Sequence, residues 1–205
     1  MKKLLKNLFK NSLQKGFTLI ELLVVIAVLG VLATIVLLAV NPGEQLARAR
    51  DTSRIAAVTQ LGRAVQSYFT AAGGSLSLLP QGAAGTAIDW MAPLITSNDL
   101  KVRPGNPAWG TTPATSNCTT GYADTLPTPL PNGGQYCYQV GVGPAYNAVV
   151  YARLESNLYN NKCGTTASVA VGVFSSADAR FGVTCLPTGA NTDATPGTQV
   201  FVSTP

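Results

Sequence analysis

From Phe17 to Val40 the chain runs for 24 positions that are apolar almost throughout, with Thr18, Glu21, Gly30 and Thr34 as the exceptions. As a helix this stretch is ~36 Å long at ~1.5 Å per residue, enough to cross the hydrocarbon core of a bilayer. Asn41-Pro42-Gly43 then interrupts the pattern. Proline removes a helical hydrogen bond and crowds the preceding turn, and glycine adds backbone freedom, so Pro42 and Gly43 predict a kink or a short unwound step. Helical periodicity resumes beyond them. Leu46, Ile55, Val58, Leu61, Val65, Tyr68, Phe69 and Ala72 recur mainly at steps of three and four, while Arg48, Arg54, Gln60, Arg63 and Gln66 take the remaining surface. This second half has one apolar face and one wet face, so it needs something to pack on. Gly73-Gly74 is placed to end it.

Residues 75–135 carry weaker patterns. Ile88–Ile95 reads as a short helix or turn that buries Trp90, Met91 and Leu94, with Pro93 limiting its length. Between Arg103 and Asn132 six prolines stand among Thr, Gly and Asn residues, which predicts ordered loop. Alternation then takes over. Residues 135–142 and 148–156 read as an antiparallel hairpin turned at Gly143-Pro144. Ser168–Phe174 and Phe181–Leu186 add two strands, and Gln199–Ser203 a weak fifth. A few short strands cannot cover themselves, and the amphipathic helix is the natural layer to lie on them. The expected architecture is α+β: a long N-terminal helix, transmembrane in its first half and amphipathic in its second, packed on a small antiparallel sheet. The expected division is a leader over 1–16, the helix over 17–72, and a loop-bearing β domain over 73–205.

Charge sharpens this layout. Of fourteen basic residues, five (Lys2, Lys3, Lys6, Lys10 and Lys15) lie in the leader, and the rest of the chain balances nine basic against nine acidic residues. The net charge of +5 therefore describes the leader, and no nucleic-acid partner is expected. Lysines before an apolar span favour a cytoplasmic N-terminus with the remainder outside. Arg48, Arg50 and Arg54 oppose this, with Glu44 and Asp51 among them. A secretory signal peptide would have a core of ~7–15 residues and a small-residue cleavage site; this core is longer and holds a carboxylate. Cys118, Cys137, Cys163 and Cys185 all follow the apolar run, which fits two disulfides in an oxidising compartment. Four cysteines allow three pairings. Cys118–Cys137 with Cys163–Cys185 closes two loops of similar size and is the expected one. With no histidine in the chain, neither a Ser/His/Asp nor a Cys/His catalytic set can be assembled, and the cysteines lack metal-binding spacing. Asp178 and Asp193 show no convergent spacing for calcium and are expected in solvated turns. No cofactor or metal is implied.

Glu21 is the residue that a plain anchor does not account for. A carboxylate in a membrane helix costs on the order of 2.5–3.5 kcal/mol at the centre, less where it can snorkel near an end. Its context is Lys15-Gly16-Phe17-Thr18-Leu19-Ile20-Glu21-Leu22-Leu23-Val24. That run resembles the processing and methylation motif of type IV pilins and of the pseudopilins of type II secretion, without a departure. Tyr151–Glu155 and Asn106–Gly110 are also similar to segments of major-pseudopilin-like members. The resemblance implies cleavage after Gly16 by a membrane-embedded aspartyl prepilin peptidase that reads Lys15-Gly16, and N-methylation of Phe17 by the same enzyme. It further implies that Glu21 meets a terminal ammonium, its own or a neighbour's, which sets the register of assembly. Implied partners are that peptidase/methyltransferase, copies of the chain and other pilins in a filament, and an inner-membrane assembly platform. The implied localisation is the cytoplasmic membrane, then an extracytoplasmic filament or the cell surface. The reading is a structural filament subunit and not an enzyme. Its rival is a single-pass, membrane-anchored extracytoplasmic binding or enzymatic domain that never polymerises.

Overall fold

In a computed structural model of the chain, residues 16–74, 79, 89–105, 122–123, 136–141, 147–164, 168–187, 194–197 and 199–202 are described. Helix α1 is Leu19–Val40 and helix α2 is Pro42–Ala71. Asn41, in the left-handed conformation at φ 44°, separates them. The interruption is thus at Asn41, with Pro42 and Gly43 as the first two residues of α2. A proline at a helix's first position sacrifices no hydrogen bond, because that N–H has no intrahelical acceptor anyway. The chain divides into two compact units, 1–42 and 43–205.

In the first unit, every residue of α1 is exposed. The helix is long and apolar enough to cross a membrane.

The second unit is built around α2 and a sheet. The sheet has strictly sequential order: β1 (Tyr122–Ala123), β2 (Cys137–Val140), β3 (Ala148–Arg153), β4 (Ser168–Ser175) and β5 (Arg180–Pro187), each antiparallel to the next. Four strands match those expected. The weak fifth does not form: Gln199–Val202 belongs to no strand, and Ser203 lies outside the described residues. Among the described residues, that segment's backbone bond to β5 is Val202 N donating to Val183 O. The segment is held mainly by side chains, with Thr184 Oγ1 donating to Val200 O and Phe201 seated where a Gly182 side chain would be. The two-residue β1 pairs on the opposite edge instead. Strand β3 stops at Arg153, short of the expected Ser156, because the amides of Glu155 and Ser156 donate to the Asp51 carboxylate.

The pleat sorts side chains onto two faces. Tyr138, Ala148, Val150, Ala152, Ala170, Phe174, Phe181 and Val183 face a core completed by Ala57, Val58, Leu61, Ala64 and Val65 of α2. The short helix α3 (Ala92–Thr96) and its flanks add Trp90, Met91, Leu94 and Leu100 to that core, and Trp90 stacks on Tyr138 with ring centroids 5.1 Å apart. Pro93 lies at the start of α3 and helps nucleate it, rather than limiting it from within. The other sheet face buries Cys137, Val149, Tyr151, Val169, Val171 and Val173, with Ala194 of the C-terminal segment packed among them. At Gly62 α2 lies close against the sheet: a Cβ there would lie 2.1 Å from Phe174 Cγ. At its end α2 closes with Gly74 N bonding Phe69 O and Gly73 N bonding Thr70 O, a Schellman arrangement that needs the positive φ of Gly73.

After β3, helix α4 (Asn157–Asn160) and a 3-10 turn (Asn161–Cys163) return the chain to the sheet. The Cys163–Cys185 disulfide ties that turn to β5. Cys137 is also disulfide-bonded, while Cys118 lies outside the described residues.

Candidate functional site

The N-terminal motif is organised by the first turn of α1. Thr18 is extended, at φ −79° and ψ 149°, and its hydroxyl accepts from Glu21 N at 3.3 Å. Glu21 reaches back, with Oε2 3.5 Å from Thr18 N and 3.4 Å from Thr18 Oγ1. Together these form a capping box, which satisfies two of the orphan N–H groups of a helix start. The carboxylate also stands at the positive end of the helix dipole, where negative charge is favoured. Glu21 is therefore engaged by its own chain. The Thr-x-x-Glu spacing before an apolar run is the sequence signal for this arrangement. It is visible in residues 18–21, where it adds Thr18 to the partners expected for Glu21.

Because the box fixes where the helix begins, Gly16, Phe17 and Thr18 stay outside it. The Gly16–Phe17 peptide lies in this non-helical, exposed stretch, Phe17 is 81% exposed, and nothing among the described residues comes within 4 Å of a Cβ built on Gly16. Lys15 lies outside the described residues.

Other expected site residues are not gathered at this motif. Pro42 and Gly43 open α2, and Cys137, Cys163 and Cys185 belong to the sheet domain. Among the described residues no group of three or more His, Cys, Asp or Glu side chains is arranged to hold a metal ion. Asp178 serves a turn, accepting from Gln199 N at 2.9 Å.

A second polar constellation, absent from the expected site residues, lies where α2 meets the segment after β3. Asp51 is fully buried. It accepts from Glu155 N at 2.9 Å, Ser156 N at 2.8 Å and Arg54 Nη1 at 2.9 Å. Arg50 and Arg54 both face the Glu155 carboxylate. Glu44 accepts from Asn157 N and Leu158 N, the first amides of α4, and from Arg48 Nε. Partial desolvation alone would raise the Glu44 pKa, but these amides and the guanidinium outweigh it and hold the carboxyl below its ordinary value. Tyr136, donating to Gly105 O, is pushed up to about 12 by burial, although the nearby Arg54 charge pulls it the other way. Residues 44–54 carry Glu44, Arg48, Arg50, Asp51 and Arg54, but the partners at Glu155–Leu158 lie more than a hundred residues away, so spacing alone cannot find them.

An apolar helix long enough to cross a membrane, capped at its start and followed by an α+β domain with a disulfide, is consistent with a pilin-like fold. Residues 11–37 match the family model described as the prokaryotic N-terminal methylation motif. This is the signature of type IV pilins and pseudopilins, and the chain carries it. Neither the curated proteins nor the solved structures compared with the chain give a match.

Proposed function

We propose that the chain is a prepilin: a structural subunit cut after Gly16, N-methylated on Phe17, and assembled through its N-terminal helix into a type IV pilus or a type II secretion pseudopilus. The observation that carries this reading is the methylation motif at 11–37, set directly on an exposed scissile peptide and a capped apolar helix. Cleavage creates an ammonium on Phe17, one residue before Thr18. Glu21 already holds the Thr18 amide and hydroxyl and so stands beside the new charge. In an apolar bundle, two unpaired charges are each costly and attract strongly when brought together. A carboxylate that can exchange its own cap for an ammonium, from its own chain or a neighbour's, gives a subunit one favoured depth in the bundle. The partners of this cycle are the prepilin peptidase/methyltransferase, further copies of the chain with other pilins, and an inner-membrane assembly platform. The sheet domain, with its Cys163–Cys185 bridge, forms the extracytoplasmic coat.

The test is the intact mass of filament material sheared from cells. The expected mass lacks residues 1–16 and carries one added methyl group. Assembled material that retains Met1–Gly16 would overturn the proposal and return the chain to the class of simple anchored domains.

A further inference from the structure

Helix α2 is fastened to its domain by two different kinds of contact along its length. From Ala57 onward it is held by apolar packing, with Ala57, Val58, Leu61, Ala64 and Val65 in the core. Between Gly43 and Arg54, Ala47 is the one buried apolar residue of the helix, and the other buried residues are Asp51 and Arg54. What holds these first turns is the carboxylate set. Glu44 takes the amides of Asn157 and Leu158, Asp51 takes those of Glu155 and Ser156, and Glu155 faces Arg50 and Arg54.

The segment on the other side is anchored separately. Leu154 N donates to Ala170 O, the Asn160 side chain accepts from Ala170 N and donates to Leu154 O and Ser156 O, and Cys163 is bonded to Cys185. None of these anchors involves a carboxylate. Loss of charge on Glu44, Asp51 and Glu155 therefore weakens the attachment of the helix and leaves the attachment of the segment to the sheet intact.

We propose that the first turns of α2, Gly43–Arg54, are docked by an acid-sensitive carboxylate latch and release from Glu155–Leu158 as a unit, while the apolar-packed remainder of α2 and the sheet stay folded. A neutral carboxyl is a much weaker acceptor than a carboxylate, and it leaves Arg54 buried beside a group that no longer balances it. The charged and titratable groups facing the latch are Arg48 at Glu44, Arg54 at Asp51, Arg50 and Arg54 at Glu155, and the Tyr136 phenol within Coulombic reach of Arg54. Arg153 stands two residues before Glu155 at the end of β3, and α4 contributes no charged side chain. In a filament subunit, such a latch allows the membrane-proximal turns of α2 to change their seating without unfolding the domain.

Amide hydrogen exchange on the full chain in detergent micelles, expressed as protection factors so that intrinsic pH effects cancel, tests this. Lowering the pH from neutral to about 3, below the ordinary carboxylate range, is expected to reduce protection at Glu155–Leu158 and across residues 44–54 by about tenfold or more, the size of losing a charged hydrogen bond or two. Protection at Val149–Tyr151 and Val171–Val173 is expected to hold. Asp51→Asn should show the low-pH pattern already at neutral pH. Should that variant fail to fold, Glu44→Gln at the edge of the latch is expected to give a smaller loss confined to Asn157, Leu158 and the first turn. The latch is refuted if residues 44–54 and 155–158 keep their protection until the strands lose theirs at the same pH. It is equally refuted if the folded variant leaves the acid profile of these amides unchanged.

Discussion

Gly62→Ala separates packing from helix propensity at one position, because the two effects have opposite signs there. In an exposed helix interior, replacing glycine by alanine stabilises by roughly 0.5–1 kcal/mol. At Gly62 the added methyl would lie 2.1 Å from Phe174 Cγ, 2.3 Å from Cδ1 and 2.7 Å from Cβ. The last atom matters most, since a Cβ cannot swing away by changing rotamer and can yield only if β4 itself moves. Overpacking a well-filled core costs typically ~1–3 kcal/mol, so it outweighs the propensity gain and leaves the variant less stable by about 1–2 kcal/mol. Urea unfolding of the detergent-solubilised chain, followed by near-ultraviolet circular dichroism of the stacked Trp90 and Tyr138, measures this directly. Phe174→Ala, which removes the clashing Cγ and Cδ1, should cost less in the Gly62→Ala background than in the parent, giving a favourable coupling on the order of 1 kcal/mol in a double-mutant cycle. A Gly62→Ala protein as stable as the parent, or more stable, would show that α2 and β4 do not approach as described.

Three other outcomes follow from the same contacts. With its pKa raised from 10.0 to about 12, Tyr136 contributes stability that is fully present below its unfolded value and is lost as pH rises through the folded one, so the melting temperature should fall across about pH 10–12. Tyr136→Phe should remove that decline, and phenolate absorbance should report the late titration. Replacing Cys163 and Cys185 together by serine opens a loop with a sequence separation of 22 and should cost about 3 kcal/mol in the chain-entropy account, readable as a lower urea midpoint. Glu21→Ala should leave membrane insertion intact and abolish filament formation in cells, seen as loss of sheared surface material; abundant filaments from this variant would argue for the anchored, non-polymerising alternative.

What could be read from residues alone was whatever is encoded locally. The apolar run, the three- and four-residue steps from Ile55 to Phe69, and the alternation in AVVYAR and SVAVGVF each report their own environment, and the structure contains the corresponding helices and strands. Misplaced boundaries have distant causes. Strand β3 ends at Arg153 because Asp51, about a hundred residues earlier, captures the amides of Glu155 and Ser156. The Gln199–Val202 segment has strand-like composition, yet Phe201 is drawn over Gly182, a vacancy that alternation cannot reveal. At the motif the opposite held. Residues 16–21 carry the methylation motif, and the capping role of Thr18 is equally local, being written in the Thr-x-x-Glu spacing.

The strictly sequential sheet also has a consequence for the order of events during synthesis. Each of β2 to β5 pairs with the strand made immediately before it, so the sheet can grow as a meander from short-range contacts, a topology that favours quick folding. Its companion helix has the reverse problem. The apolar face of α2 is complete by Ala71, yet its partners Ala148–Val183 are made long afterwards. A nascent chain thus carries, for much of its synthesis, a helical face that Trp90, Met91, Leu94 and Leu100 can begin to cover but that still lacks its sheet, a condition that invites premature association. The wait ends only when β3 to β5 have been made, so a ribosomal pause before residue 148 should lengthen that exposure and a pause after residue 187 should not.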